Sequence, residues 1–308
     1  MPIDENIYGR ILAKRKALDK LRPFNKGALA RLQETFRVDL TYNSNALEGN
    51  SLSLSETKLV LEEGITIGGK SMREHLEATN HGKAIDFVES LVGKSAISEL
   101  DVLNLHAIIL DRIDQENAGY YRRGAVRISG TSYAPPNPVR VPELMQEVYA
   151  LLKAKGGEPI ETAAKIHQKF VDIHPFIDGN GRTARLLLNL YLMRNGYPPV
   201  IILRAERPKY LRTILQSRAE NDITPFANFV AKGVERSLDI YLDSLGKNPK
   251  DYLTLSEAAK LSKNGFSQEY LSLLARTGKI GAVKFSRNWK ITKEALEEYE
   301  RENAFPGK

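Results

Sequence analysis

The segment His174–Arg185 reads HPFIDGNGRTAR and lies between two stretches whose apolar residues recur at helical spacing. Gly179, Asn180 and Gly181 tolerate the backbone conformations that let successive N–H groups converge on one point. The second helix begins at these residues, so the positive end of its dipole faces the loop. The segment therefore predicts an anion-binding nest.

The charged residues of this segment indicate which anion would bind. Arg182 and Arg185 lie three positions apart, on one helix face, and cations in a first turn oppose the helix dipole by about 0.3–1 kcal/mol each. A polyphosphate would compensate, because guanidinium groups bind phosphate oxygens bidentately. Asp178 is suited to the Mg²⁺ that accompanies nucleotide phosphates. His174, with an ordinary pKa of about 6.5, is suited to accept a proton from an attacking hydroxyl group.

The same twelve residues resemble the motif of the Fic family, H-x-F-x-[DE]-G-N-G-R-x-x-R, and match it at every specified position. The matching residues are His174, Phe176, Asp178, Gly179, Asn180, Gly181, Arg182 and Arg185. Two further segments, Gly119–Met145 and Ile223–Val230, resemble the hairpin flap and the closing helix of that family. The resemblance covers about residues 30–235.

This resemblance implies a protein adenylyltransferase, which transfers AMP from ATP to a Ser, Thr or Tyr hydroxyl of a protein, including its own chain. His174 would deprotonate the hydroxyl, and Asp178 would bind Mg²⁺. The loop amides of Gly179 and Gly181, with Asn180, would hold the α- and β-phosphates. Arg182 would bind the β-phosphate and Arg185 the γ-phosphate, in agreement with the anion site predicted from the residues themselves.

The resemblance also assigns roles around the motif. A target-docking flap would pair with the protein substrate as a strand. Its residues are Ile128, Ser129, Gly130, Thr131, Ser132 and Tyr133. Phe176 is interpreted as a core anchor, and His106 and His167, which fall inside helical stretches, as packed residues.

One stretch departs from the family pattern. The family follows its motif with a helix that carries paired aromatic residues and ends in Gly-Asp, whereas this chain reads KYLRTILQSRAEND. Leu211 follows Tyr210, and Asn221 replaces the glycine. Tyr210 is the candidate residue of the adenine pocket.

The segment Ser44–Asn50, SNALEGN, matches the Fic inhibitory pattern [ST]-x-x-x-E-[GN] through Ser44, Glu48 and Gly49. A glutamate before a glycine that ends a helix is also an ordinary arrangement. The resemblance implies that Glu48, on an inhibitory helix of about residues 40–50, pairs with Arg185 in place of the γ-phosphate. Removal of AMP from a modified protein remains an alternative, with this glutamate orienting water.

The rest of the main body predicts an all-α fold. Apolar residues recur at helical spacing, as in Leu32, Phe36 and Leu40, and capping boxes begin several stretches, such as Ser53 with Glu56. Residues 125–133 are the exception, since apolar and polar residues alternate around a glycine. They predict a short β-hairpin.

The C-terminal part predicts a second domain. Gly, Asn and Pro near residues 246–252 indicate a linker, so domains are expected at residues 1–246 and 250–308. From Leu253 the pattern is helix, turn, helix and two short strands, which resembles the winged helix of excisionase-like DNA-binding domains. Helix Gln268–Arg276 would then enter the major groove, and Lys284, Arg287 and Lys290 would lie on the wing.

Charge supports a partner for this domain. Residues 247–293 contain 10 Lys and Arg against 3 Asp and Glu, which equals the whole net charge of +7. A basic unit predicts duplex DNA as a partner through residues 250–293. A solvated basic face, a protein contact or a homodimer are the alternatives. A DNA-binding regulator whose Fic fold only senses nucleotide is also possible on sequence grounds, although sensing needs no base at His174.

Composition bounds these predictions. The 308 residues are 42% hydrophobic and 27% charged, and no run of about 18 apolar residues is present, so no membrane partner is expected. The first residues carry charges from position four onward without an apolar signal core. The chain has no cysteine, which excludes disulfides and thiolate zinc sites. A cytoplasmic enzyme is therefore predicted.

Overall fold

The computed structural model describes residues 2–128, 131–154, 156–245, 252–277, 279–285 and 288–303. Internal contacts divide the chain into two compact units. The first comprises Met1–Arg15 with Ala30–Leu238, and the second Lys16–Leu29 with Asp239–Lys308. The linker and the domain boundary predicted between residues 246 and 250 lie outside the described residues.

The described residues form thirteen α-helices and three short β-strands, which confirms the predicted helical fold. The helices are α1 (Glu5–Asp19), α2 (Lys26–Leu47), α3 (Leu54–Glu62), α4 (Met72–Leu91), α5 (Glu99–Ile109), α6 (Val141–Lys153), α7 (Pro159–Ile173), α8 (Asn180–Arg194), α9 (Arg207–Glu220), α10 (Thr224–Leu245), α11 (Leu255–Leu261), α12 (Gln268–Thr277) and α13 (Lys293–Glu302). Among these residues, no helix has both the length and the apolar composition that a membrane span requires.

The centre of the first unit is the pair α7 and α8, which pack along each other. Helix α6 packs on α7, and α4 and α5 pack on α8. Phe170 of α7, Phe176 of the following loop and Phe226 of α10 are among the largest side chains that are completely buried. The loop between α7 and α8 is thus anchored in the core, which fixes the position of the motif.

Local signals in the sequence account for the helices around this centre. Leu32, Phe36 and Leu40 are buried on α2, as their spacing predicts. The capping box at the start of α3 is formed, since the Ser53 hydroxyl accepts from the Glu56 N–H and the Glu56 carboxylate accepts from the Ser53 N–H.

The predicted β-hairpin at residues 125–133 is not formed in the residues described there. Residues 125–128 and 131–133 contain no strand, and Ser129 and Gly130 lie outside the described residues. One backbone hydrogen bond joins the two described parts, from the Thr131 N–H to the Ile128 carbonyl oxygen at 3.4 Å. An isolated two-stranded hairpin is marginal without a third strand to extend it. The prediction treated alternation of apolar and polar residues as sufficient, which it was not.

The second unit contains a three-stranded antiparallel sheet with the strand order β1-β3-β2. The strands are β1 (Tyr252–Thr254), β2 (Ala282–Phe285) and β3 (Asn288–Thr292). Leu253 pairs with Ile291, and Lys284 pairs with Trp289. Helices α11 and α12 and the strands β2 and β3 follow the predicted order, whereas β1 was not predicted. Gly278, Ser286 and Arg287 lie outside the described residues.

The second unit has its own small hydrophobic core, drawn from its helices α11, α12 and α13 and from strand β3. The buried residues are Leu255, Ala258, Leu271, Leu274, Ala275, Ile280, Ile291 and Leu296. This core explains why the weakly apolar helices α11 and α12 form, because packing of one face contributes more than helix propensity.

Candidate active site

The loop between α7 and α8 begins with an unusual backbone conformation at His174. Helix α7 ends at Ile173, and His174 follows with φ 50° and ψ 61°, in the left-handed region. A residue other than glycine seldom adopts this region, and such strain is found at functional sites. The His174 N–H donates to the carbonyl oxygen of Phe170 at 2.9 Å, which ends the helix and turns the side chain into the loop.

Arg122 holds this strained residue in place. Its Nε donates to the carbonyl oxygen of His174 at 2.7 Å, and its Nη2 donates to that of Pro136 at 2.6 Å. The guanidinium is buried and its backbone N–H donates to Pro175. One side chain therefore joins the loop at His174 to the segment that follows the flap. Arg122 was not predicted, because a single arginine 52 residues before His174 carries no local signal.

Two side chains brace the middle of the loop. His106 stacks on Phe176, with the ring centroids 3.5 Å apart. Its Nδ1 accepts from the Gly119 N–H, so the ring proton lies on Nε2, which donates to the carbonyl oxygen of Asp178. Burial lowers the pKa of His106 to about 4, which keeps the ring neutral. The prediction that His106 is a packed residue holds, but it packs directly beneath the motif.

Asn180 fixes the turn from inside. Its amide oxygen accepts from the Phe176 N–H at 3.0 Å, and its amide nitrogen donates to the Phe176 carbonyl oxygen at 2.9 Å. Of the three small residues predicted to adopt positive φ, only Gly179 does so, with φ 74°. Asn180 and Gly181 are already helical. The side-chain amide is thus engaged within the loop through its oxygen and one of its N–H groups.

The first turn of α8 lacks a side-chain cap, since Gly179 occupies the capping position. Its N–H groups and dipole therefore favour an anion. Gly181 leaves the room for one: a Cβ atom there would lie 2.2 Å from Oε1 of Glu48 and 3.0 Å from Nη1 of Arg185. The absence of a side chain at Gly181 is what lets a carboxylate approach this helix end.

Ser44, in the last turn of α2, and Glu48, the residue after that helix, contact Arg185 of α8. Nη2 of Arg185 lies 2.7 Å from Oε1 of Glu48 and donates to the carbonyl oxygen of Ser44 at 2.8 Å. Nε donates to the Ser44 hydroxyl at 3.0 Å. Burial alone would lower the pKa of Arg185, but Glu48 and Tyr210 outweigh it and the pKa is raised. The contact that the family resemblance implied is therefore present.

Gly49 positions Glu48. Helix α2 ends in a Schellman motif, in which the N–H of Asn50 bonds to the carbonyl oxygen of Asn45 and that of Gly49 to Ala46. Gly49 adopts φ 102°, the left-handed region this motif requires. Glu48 therefore both precedes the glycine that ends helix α2 and contacts Arg185, so the two interpretations of this segment are compatible.

Arg182 and Asp178 lie on the other side of the helix start. Arg182 has a side chain only 2% exposed, with Nη2 3.4 Å from Asp178 and Nη1 3.4 Å from Glu77 of α4. Its Nε and Nη1 have no hydrogen-bond partner among the described residues. Burial raises the pKa of Asp178, but Arg182, the Gly179 N–H and Arg73 outweigh it, so the pKa is below its usual value.

Comparison with known proteins places this site in a family. A family model described as Fic/DOC matches residues 96–192. A fragment of Fic-1 from C. elegans is 35% identical with a TM-score of 0.70, and the match covers 77% of this chain and 72% of that chain. A Fic domain containing signaling protein from Bacteroides thetaiotaomicron is 30% identical with a TM-score of 0.72, covering 77% and 96%. This chain belongs to the Fic/DOC family.

Among curated relatives, the Protein adenylyltransferase Fic of Drosophila yakuba is 40% identical over 244 residues, or 78% of this chain and 48% of that protein. The Aedes aegypti protein of the same name is 39% identical over 245 residues, again 78% and 48%. The chain thus spans about half the length of the curated relatives it matches.

In this Fic chain His174 is mostly buried, and burial lowers its pKa. Its Nδ1 lies 3.4 Å from the carbonyl oxygen of Val171, and Arg122 and Arg218 also lower the pKa, while Glu48 raises it. The balance favours the neutral ring at neutral pH, which is the form able to accept a proton.

Tyr210 of α9 lies behind Arg185. Its hydroxyl is 2.9 Å from Nε2 of His167 and also interacts with the Arg185 guanidinium. Its buried ring packs against Phe226 and Phe229. Tyr210 is therefore a core residue, and its hydroxyl supports Arg185, the second arginine of the Fic motif. Helix α9 ends at a left-handed Asn221, φ 50°, so asparagine fulfils the role of the family's glycine.

The described part of the flap is held on the body by Tyr133. Its hydroxyl donates to the carbonyl oxygen of Asp172, two residues before His174. Arg218 of α9 lies 3.8 Å over the Tyr133 ring and 2.5 Å from the Asp172 carboxylate. Tyr133 was predicted to lie on the flap, whereas Arg218 was not predicted to be near it, because its partners are 46 and more residues away.

Proposed function

We propose that this Fic chain transfers AMP from ATP to a hydroxyl group of a protein, with its own chain as one substrate. The observation that supports this most is the start of α8, where two arginines, an uncapped helix end and a glycine without a side chain surround one anion position. The relatives named Protein adenylyltransferase Fic support the same reaction.

In the proposed reaction, the target hydroxyl oxygen forms a bond to the α-phosphorus of ATP. The bond from the α-phosphorus to the bridging oxygen breaks, and pyrophosphate leaves with that electron pair. His174 accepts the proton of the hydroxyl. The lowered pKa of His174 supports this role, because a base must be unprotonated before it acts.

The phosphates would be held by positive charge and backbone N–H groups. Arg182 supports this proposal because its buried Nε and Nη1 have no hydrogen-bond partner among the described residues. Arg185 would bind the γ-phosphate, with Tyr210 and Ser44 fixing its guanidinium. The N–H groups of Asn180 and Gly181 would contact the α- and β-phosphates, and that of Gly179, which donates to Asp178 in this structure, would join them once released.

Asp178 would hold Mg²⁺ beside these phosphates. Among the described residues, no three His, Cys, Asp or Glu side chains form a metal cluster. A single carboxylate beside a phosphate site still fits, because Mg²⁺ is bound in such sites by one or two carboxylates together with substrate phosphates. When bound, Mg²⁺ would neutralise charge on the phosphates and on the departing pyrophosphate.

Glu48 is proposed to hold the enzyme off. A carboxylate and a γ-phosphate compete for the Arg185 guanidinium, and the 2.7 Å contact supports the carboxylate as the occupant when no partner intervenes. ATP could then bind only with its α-phosphorus out of line for attack. Transfer would require Glu48 to leave the contact.

Removal of AMP from a modified protein is a second proposal for the same site. Glu48 raises the pKa of His174, so its charge acts directly on the catalytic ring. A carboxylate so placed could orient water for attack on a phosphodiester. Adding wild-type protein to an α-labelled, self-modified Glu48→Gly variant tests this, since release of labelled AMP would be expected.

For the second unit, duplex DNA is the proposed partner. The observed order of α11, α12, β2 and β3 and the basic surplus of residues 247–293 support it. Tyr270 and Leu273 of α12 are exposed apolar side chains and favour a protein contact or a homodimer instead. Titration of the protein with duplex DNA at low and high salt distinguishes these partners, because contacts with phosphates depend on salt and apolar contacts do not.

The experiment for the main proposal uses ATP labelled at either the α- or the γ-phosphate, with Mg²⁺ and the full chain. Label from the α-position should become covalently attached to protein, and label from the γ-position should not. Attachment of the γ-label would indicate phosphoryl transfer and overturn the proposal.

A further inference from the structure

Four charged side chains alternate in sign beside the catalytic loop. Arg73 of α4 contacts Asp178, with Nη2 2.6 Å from Oδ2, and contacts Glu77, with Nε 3.3 Å from Oε1. Arg182 contacts the same two acids at 3.4 Å each. Each carboxylate is thus shared by two guanidinium groups.

The two arginines of this cluster differ in their freedom to move. The side chain of Arg182 is 2% exposed, whereas that of Arg73 is 56% exposed and lies in the first turns of α4. The Glu77 contact of Arg73 is of the ordinary i, i+4 kind on one helix. Arg73 can therefore change rotamer at small cost, while Arg182 is fixed by its surroundings.

Asp178 accepts from three N–H donors in this arrangement, one of them Nη2 of Arg182 at 3.4 Å. Its Oδ1 accepts from the Gly179 N–H at 2.6 Å, and its Oδ2 accepts from Arg73 at 2.6 Å. A divalent cation needs a carboxylate lone pair, and it repels a guanidinium within hydrogen-bonding distance. Arg73 and a divalent cation therefore compete for the same oxygen.

We propose that Arg73 is a built-in competitor of the divalent cation: it bonds Asp178 in the nucleotide-free protein and is displaced when the cation binds. The proposal rests on the proposed role of Asp178 as the metal ligand. Arg73 is a positioning residue in this scheme, since it acts through Asp178. Because Arg73 competes for Asp178, a higher cation concentration is needed to fill the site than if Asp178 had no such partner.

Binding of Mn²⁺ alone tests this without any turnover. Free Mn²⁺ is counted by its electron paramagnetic resonance signal during titration of the nucleotide-free full chain. Arg73→Gln should bind Mn²⁺ about two- to fivefold more tightly than wild type, the range expected for loss of a half-exposed ion pair. Arg73→Lys keeps the charge and should bind more weakly than Arg73→Gln.

A matched control removes general electrostatics. Lys83 is also on α4, and its side chain is 57% exposed beside Asp111 rather than Asp178. Lys83→Gln should leave the Mn²⁺ affinity at the wild-type value. In a protein that already carries Asp178→Asn, Arg73→Gln should no longer raise the Mn²⁺ affinity. Equal Mn²⁺ affinity in wild type and Arg73→Gln overturns the competition.

One further result separates this failure from that of the proposed function. If Asp178→Asn binds Mn²⁺ as well as wild type does, Asp178 is not the cation ligand, and the competition and the proposed metal site are both wrong. If Asp178→Asn loses the binding while Arg73→Gln equals wild type, only the competition is wrong.

Discussion

The start of α8 and the basic second unit both carry many charges, but they distribute them differently. At the start of α8, Arg182 and Arg185 are buried, and their acidic partners come from the end of α2, from α4 and from the preceding loop. In the second unit, most described charges are exposed with local contacts, as for Lys293 with Glu297 four residues later. Glu300 is an exception, since it is buried and accepts from Ser262 and Asn264. Buried charges with distant partners define one site, whereas exposed local pairs define only a surface.

This difference decides how far function can be inferred. A buried guanidinium must be compensated, so each contact of Arg185 limits what else can bind there. An exposed ion pair is worth about 0–1 kcal/mol and limits little. The proposal for the loop therefore names atoms, and the proposal for the second unit names a class of partner.

The largest expected effect is at His174, the proposed base. His174→Ala should lower α-label incorporation by about 10²–10⁴-fold, the usual cost of losing a general base. Initial rates of incorporation from α-labelled ATP measure it. Arg276→Gln in α12 is the matched change in the second unit, and labelling should be unaffected by it. Undiminished labelling by His174→Ala would remove the base from the proposal.

The next effect is a gain. Glu48→Gly should raise α-label incorporation by at least about tenfold, because a hydrogen bond between charged groups is worth about 1.5–3 kcal/mol and about 1.4 kcal/mol corresponds to tenfold. The exposure of the Glu48 side chain, 41%, places the expectation at the lower end of that range.

Two variants control for this gain. Glu48→Gln keeps the shape of the side chain and should also activate, whereas Glu62→Gln, at the end of α3, should not. The combined Glu48→Gly and His174→Ala variant should be inactive. If Glu48→Gly incorporates α-label at the wild-type rate, Glu48 does not inhibit transfer and is only a residue at a helix end.

A smaller effect is expected in the second unit. Replacing Lys260, Arg276 and Lys290 together with glutamine should weaken duplex DNA binding about tenfold at low salt and flatten its salt dependence. Fluorescence anisotropy with labelled duplex at two salt concentrations measures both. If the triple variant binds duplex DNA as well as wild type does, the basic residues form only a solvated face. If the triple variant instead loses self-association, a protein contact through Tyr270 and Leu273 is favoured.

Much of the fold follows from local sequence signals. Capping boxes, helical spacing and the glycine after Glu48 predict where helices begin and end, because these effects act within a few residues. The hairpin prediction failed for the same reason, since a strand pair needs partners that a local pattern cannot supply. Strand β1 was missed because its three residues are ordered by pairing with β3, some 40 residues later.

The residues of the candidate site also differ in whether a local sequence signal predicts them. The motif residues were found because they lie within twelve positions of each other. Arg122, Arg73 and Glu77 were missed because their contacts with the motif span 52 to 105 residues, and His106 was predicted to be packed but not to brace the loop. Only the fold brings these side chains to the loop. Glu48 was found despite its distance because its own segment carries a recognisable pattern.

The smallest predicted effect tests whether Glu48 acts on the base as well as on Arg185. The pKa of His174 is lowered by burial and by Arg122 and Arg218, and raised by Glu48 and the Val171 carbonyl group. Glu48→Gln removes a negative charge that stabilises the imidazolium form. The pKa of His174 should therefore fall further, and the ring should remain neutral to a lower pH than in wild type.

Titration of the histidine ring signals by NMR in full-length protein measures this shift without turnover. His174→Asn identifies the signal, and Glu62→Gln should leave it in place. The acidic limb of kcat/KM for α-label transfer should move in the same direction, because that limb reports the base of the free enzyme. A His174 pKa that is equal or higher in Glu48→Gln would confine Glu48 to the arginine. Its charge would then be too far from the ring to influence catalysis directly, and the proposed orientation of water by Glu48 would lose its support.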